Sequence, residues 1–154
     1  MGDRIGVSVP EDTRVILIKM DRENTDEALR KEKLCPVTLV YTYSTFEEAV
    51  EIAKSNILLE GRGHSVAIHS NDKKHIEKLA EAIPVTRIIV NQSATTSAGG
   101  SFFNGFGATT TLGTGFWGNT ALIGNLDFTH LLNYTKIGYP PPGARVPSDE
   151  EIWG

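Results

Sequence analysis

"SVAIHSNDKKHIEKLAEAIPVTRIIV", residues 65–90, is the stretch on which the fold turns. "SVAIH" (65–69) is short, apolar and β-branched, as a strand should be. Asn71 or Asp72 can cap a helix that follows. Ile76, Leu79, Ala80 and Ile83 then recur at helical spacing, and Pro84 ends the run. "RIIV" (87–90) reads as a second strand, apolar on both faces, which fits burial on both sides as in a parallel sheet. Strand, helix and strand in about 26 residues is the right-handed crossover unit of layered α/β folds.

The same alternation continues upstream. "TRVILIKM" (13–20) and "VTLVYTY" (37–43) read as strands, joined by the charged connector "DRENTDEALRKEK" (21–33) with one helical turn near 26–30. Thr45 opens a long helix: its hydroxyl can cap free N–H groups, and Glu48 completes a capping box. Phe46, Ala49, Val50, Ala53, Ile57 and Leu58 form its apolar face, and Gly61 marks its end. The expected class is therefore α/β, a mostly parallel sheet flanked by helices.

Downstream the pattern changes. Seven of the 15 glycines fall in residues 99–118, together with Phe102, Phe103, Phe106, Phe116 and Trp117, and with no charged residue. This segment is too apolar for a solvated linker and too rich in glycine for a helix. Gly113, Gly115 and Gly118 spell G-x-G-x-x-G. A dinucleotide loop with that spacing also needs a helix opening at the last glycine and an acid about 20 residues on. "NTALIGNLDF" is a poor helix, and the residue twenty beyond Gly118 is Gly138, so the nucleotide reading is weak. "FTHLLNY" (128–134) reads as a short helix and "TKIGY" (135–139) as a C-terminal edge strand. Residues 140–154, with "PPPG" and an acidic end, read as an exposed tail beyond a unit spanning 1–139.

Composition narrows the function classes. A net charge of −4 argues against nucleic acid as a partner. No run of about 18 apolar residues is present, so no membrane span is expected. "MGDRIGVSVPEDTR" holds no apolar signal core, which points to a cytoplasmic protein. A single cysteine, Cys35, excludes an intrachain disulfide.

"EKLCPVTLVY" (32–41), "EGRGHSVAIHS" (60–70), "RIIVNQSA" (87–94) and "TTLGTGFWGN" (110–119) occur in one order with consistent spacing. Together they resemble the CoA-acylating branch of the aldehyde dehydrogenase superfamily, over about residues 5–139. The resemblance implies the C-terminal part of that catalytic domain, from just after the nucleophilic cysteine onwards, with most of the cofactor domain upstream. It implies the reaction aldehyde + CoA + NAD(P)+ to acyl-CoA + NAD(P)H, with NAD or NADP as cofactor and coenzyme A as co-substrate. "AGGSFFNGF" and "GNLDFTHLLNYTKIGY" are closest to the succinate-semialdehyde type, and other short aldehydes stay open.

Site residues follow from the same resemblance. Glu32, in the E-x-x-x-P setting with Pro36, would accept hydrogen bonds from the nicotinamide ribose hydroxyls, and Leu34 would lie near the nicotinamide. By its residues alone, Glu32 also fits an exposed acid in a charged run. His64 follows a glycine-flexed turn and would take the proton of the CoA thiol, since imidazole exchanges protons near neutral pH; the alternative is a histidine that orders its loop. Phe102, Phe103, Phe106 and Trp117 would wall the aldehyde or acyl pocket, or pack an oligomer contact. Relatives often carry cysteine where this chain has Thr114, and a small residue where it has Phe116. Cys35 reads as a packed, unreactive thiol. His69, His75 and His130 lack metal-ligand spacing, and no metal is expected. The terminal strand corresponds to the family's oligomerisation strand, giving a homo-oligomer. The rival functional reading is a non-catalytic, self-associating module, inactive because nucleophile and cofactor domain are missing.

Overall fold

The computed structural model describes residues 8–21 and 26–154. The N-terminal reading of residues 1–7 and residues 22–25 of the charged connector lie outside that range. Six strands and five α-helical segments follow one another along the described chain. The strands are β1 (Ile16–Lys19), β2 (Val37–Val40), β3 (Gly63–Ile68), β4 (Val85–Val90), β5 (Leu112–Thr114) and β6 (Ile123–Asn125). The helices are α1 (Glu27–Arg30), α2 (Phe46–Leu59), α3 (Lys73–Ala82), α4 (Ala94–Ser97) and α5 (Asp149–Trp153). Short 3-10 turns occupy Phe116–Gly118 and Phe128–Leu131.

The expected parallel pairing is present, divided into two ladders. β1 pairs with β2 and β3 with β4, both parallel, whereas β5 and β6 form a short antiparallel ladder. In the β3–β4 ladder Gly63 faces Val85, Ser65 faces Arg87 and Ile68 faces Val90. The ladder is longer than its apolar letters suggest, because Gly63 and His64 on β3 and Val85 and Thr86 on β4 extend it at the same end. β4 is not equally buried on its two faces. Val85, Arg87 and Ile89 are buried, while Thr86, Ile88 and Val90 are half-buried.

The helices start where their caps dictate. Thr45 Oγ1 accepts from Glu48 N–H at 3.3 Å, and the Glu48 carboxylate reaches back to Ser44 N–H at 2.6 Å. Asp72 caps α3 through Lys74 N–H at 2.9 Å. Both helices pack on the β3–β4 ladder. Val50, Ile68, Leu79, Ile83 and Val85 form the buried cluster, with Phe46, Ala53, Ile57 and Ile76 against it. The Lys78–Glu47 ion pair at 2.5 Å links α3 to α2 on the surface. It holds the Glu47 carboxyl below its ordinary value, chiefly through the Lys78 hydrogen bond.

Three expectations need correction. Residues 135–139 form no strand ladder with any described residue, and they are exposed. A strand exists only with a partner, and the described residues offer none there. The short helix at 128–134 is a 3-10 turn over Phe128–Leu131. Asp127 caps it, and the His130 imidazole accepts from Asp127 N–H at 3.1 Å. Cys35 is exposed rather than packed. It sits in a tight turn closed by Val37 N–H on the Cys35 carbonyl at 2.7 Å. Residues 140–154 are exposed throughout, and the last of them wind into α5 behind a Ser148–Glu151 capping box.

Candidate active site

Glycine sets the geometry around His64. Gly61 (φ +114°) ends the α2 connection and Gly63 (φ +76°) opens β3, both in the left-handed region that favours glycine. The turn between them is closed by His64 N–H on the Gly61 carbonyl at 3.0 Å. Thr86 on β4 donates its hydroxyl to the Gly63 carbonyl at 2.7 Å. The His64 backbone is thus fixed, while its exposed imidazole makes no hydrogen bond to a described residue. That disposition suits a proton carrier better than a loop-ordering histidine.

The glycine-rich segment packs directly on this turn. A Cβ at Gly63 would lie 2.1 Å from the Thr114 carbonyl oxygen. One at Gly118 would lie 2.2 Å from Thr114 Oγ1 and 3.0 Å from the Arg62 carbonyl. Gly113, against Leu122, closes the β5–β6 ladder in the same way. These glycines serve close backbone approach at the His64 turn. No helix opens at Gly118: Asn119 follows it with φ +57°, ending the 3-10 turn.

Glu32 reaches the same place from the other side. The Arg30 guanidinium donates to Asn56 Oδ1 at 2.8 Å and Ser55 Oγ at 2.5 Å, tying α1 to α2. Glu32 N–H then donates to the Glu60 carboxylate at 2.5 Å. A cavity of about 310 Å³ results, lined by Arg30, Lys31, Glu32, Glu60, Gly61 and His64 among others. Its mix of two carboxylates, two cations and an imidazole suits a ligand bearing hydroxyls and phosphates. The exposed Leu34 and Pro36 lie just beyond Glu32 on the outer loop.

The proposed aromatic wall is not gathered around this cavity. Phe102 and Phe103 are fully exposed, Phe106 is half-buried and Trp117 is about half exposed at 46%. Trp117 alone of the four belongs to the turn that packs beside β3. Another cavity, of about 540 Å³, opens between α2, α3 and the end of β3, where His75 stacks on Phe46 with ring centroids 4.0 Å apart. Among the described residues no cluster of three or more His, Cys, Asp or Glu could hold a metal ion, and no helix is long and apolar enough to cross a membrane.

One residue escaped the sequence reading. Arg87 stands in the apolar run of β4 with only 3% of its surface exposed. Burial pushes its guanidinium below the ordinary value. The signal was visible as a charge inside "PVTRIIV", where the strand's inward face needs an apolar side chain.

The profile of the aldehyde dehydrogenase family matches residues 16–122. Succinate-semialdehyde dehydrogenase (acetylating) from Clostridium kluyveri is 50% identical over all 154 residues, which span 34% of that enzyme. Sulfoacetaldehyde dehydrogenase from an Acholeplasma species is 37% identical over the whole chain and 32% of its own length. Among solved structures, an acetylating aldehyde dehydrogenase from Geobacillus thermoglucosidasius superposes with a TM-score of 0.78 at 29% identity. That match covers 96% of this chain and 32% of the other. The chain therefore spans about a third of the length of the relatives it matches.

Proposed function

Because this chain belongs to the aldehyde dehydrogenase family, we propose that it serves as the CoA-facing third of an acylating aldehyde dehydrogenase. The reaction is aldehyde + CoA + NAD(P)+ to acyl-CoA + NAD(P)H + H+, with succinate semialdehyde or another short aldehyde as substrate. The observation that carries this reading is the meeting of Glu32 and His64 on one cavity, from segments about thirty residues apart.

Each residue then has a task that its chemistry permits. The Glu32 carboxylate accepts two hydrogen bonds from neighbouring ribose hydroxyls and so orients the nicotinamide. Leu34 and Pro36 give that loop an apolar rim. The free imidazole of His64 takes the thiol proton of CoA, which makes the sulfur a competent acyl acceptor. Phe102, Phe103, Phe106 and Trp117 line the acyl side once the rest of the enzyme is in place. NAD(P) supplies the hydride acceptor and CoA the thiol. The isolated segment is expected to reduce no NAD, and aldehyde-dependent turnover by it would overturn that expectation.

The test is a chimera in which this segment replaces the matching third of the Clostridium kluyveri enzyme. His64→Ala should lower CoA-dependent turnover by roughly 100-fold or more, within the range of a lost general base. The first-turnover burst of NADH should persist. Glu32→Ala should raise KM for the nicotinamide cofactor and slow hydride transfer. Unchanged acyl transfer in the first variant, or unchanged cofactor kinetics in the second, would refute the respective role. A second reading, self-association without catalysis, is favoured by the exposed Phe128, Leu131, Tyr134, Ile137 and Tyr139. A soluble chimera that forms a defined oligomer but no acyl-CoA would support it instead.

A further inference from the structure

Arg87 is a buried cation with no carboxylate paired to it among the described residues. Its Nε donates to Ser65 Oγ at 2.8 Å, and its Nη1 to the Gly113 carbonyl at 3.0 Å and to Asn125 Oδ1 at 3.4 Å. Nη2 is buried and finds no acceptor among the described residues. All three acceptors are neutral. Burying a charge on such terms is unfavourable, and an apolar side chain of similar volume often serves stability as well or better. Stability is thus a poor reason for an arginine here.

The three acceptors belong to three different pieces of the site. Ser65 follows His64 directly and faces Arg87 in the β3–β4 register. Gly113 belongs to β5, whose neighbour Thr114 presses on Gly63. Asn125 is the last residue of β6, and its amide donates to the Ala98 carbonyl at 3.0 Å and the Gly107 carbonyl at 2.7 Å. The first carbonyl immediately precedes, and the second lies near the end of, the loop of residues 99–109, which Thr109 N–H closes on the Gly99 carbonyl at 2.8 Å. Phe102 and Phe103 sit at its exposed tip. One guanidinium therefore touches the His64 strand directly and the neck of the aromatic loop through Asn125.

We propose that Arg87 and Asn125 form a buried clamp that positions the aromatic loop and the His64 turn relative to each other, making Arg87 a positioning residue for acyl transfer to CoA. The inference rests on the acylating reading given above. The fork of the guanidinium is essential to it, because a lysine ammonium cannot reach Ser65, Gly113 and Asn125 in one plane. Misplacement of a reacting group by about 1 Å can cost up to about 100-fold in rate, so loss of the clamp should appear in catalysis before it appears in folding.

In the chimera, Arg87→Met should leave the thermal midpoint near that of the parent. It should lower CoA-dependent kcat by about 10- to 100-fold, with the CoA-independent NADH burst and KM for the cofactor within about twofold. Arg87→Lys should fail to restore kcat, whereas a role of charge alone would be rescued by it. Asn125→Ala, which leaves Arg87 its Ser65 and Gly113 acceptors, should show the same split and decides the question if Arg87→Met does not fold. An unchanged ratio of acyl transfer to hydride transfer in a folded variant, or full rescue by lysine, would overturn the clamp. Intact transfer in His64→Ala would instead refute the underlying reading, whatever Arg87→Met shows.

Discussion

Gly63 shows how a single missing side chain can set the geometry of a turn. Its φ of +76° and the 2.1 Å that would separate a Cβ from the Thr114 carbonyl oxygen both exclude a larger residue. Gly63→Ala should destabilise the chain by at least about 2 kcal/mol, from left-handed strain and a backbone clash that no side-chain rotation relieves. Gly138→Ala, with nothing within 4 Å of its Cβ, should stay within about 0.5 kcal/mol. Urea midpoints of the two variants provide the comparison, and equal midpoints would contradict the close approach. Glycine counting marked residues 99–118 as special, but it could not separate the glycines that are pressed from those that are free. The partner of Gly63 lies about fifty residues away, and such contacts leave no local pattern. The partners of Arg87 were hidden for a related reason: its acceptors come from β3, β5 and β6, which the sequence shows only as separate runs.

At the scale of elements, local rules were sufficient wherever the cause was local. Thr45, Asp72, Pro84 and the spacing of Val50, Ile57, Ile76 and Leu79 placed both long helices and the strands around them. The terminal strand failed because strands are defined by partners. The tail helix α5 was legible and overlooked, since "SDEE" places Glu151 three residues after Ser148, the spacing of a capping box. Its carboxylate also takes a two-pronged bond from Arg145, at 2.7 and 2.5 Å. The Arg145 guanidinium, aided by Ser148 N–H, lowers Glu151 to about 2 from the ordinary 4.5. A carboxyl depressed on folding stabilises the turn above its ordinary value and loses that contribution as pH falls from 4.5 towards 2. Carboxyl NMR between pH 6 and 2 should find Glu151 still ionised at pH 3.5, and Arg145→Ala should return it to the ordinary range. Because the pair is exposed, added salt should weaken it. Titration near 4.5 in the unaltered chain would show that the fork does not form.

Across the whole molecule, apolar exposure is concentrated past β6. Phe128, Leu131, Tyr134, Ile137 and Tyr139 are each more than 70% exposed, a density unusual for a surface in water. Light scattering should therefore show concentration-dependent association, and Phe128→Ser with Ile137→Lys should shift it towards monomer; a monodisperse monomer at about 100 μM, well above a micromolar dissociation constant, would contradict it. The division into separate ladders also bears on the order in which the chain gains and loses structure. β3, α3 and β4 lie within 28 residues, contain most of the buried cluster and close their ladder across a single short crossover. Contacts so near in sequence form early and open last. Amide protons of Val66, Ile68, Arg87 and Ile89, which face the partner strand in the β3–β4 register, should outlast those of β1, β2 and β5 in deuterium exchange. The glycine turn before His64 would then sit at the edge of the chain's slowest-opening unit: rigid on the side of the strand, free on the side of the exposed imidazole.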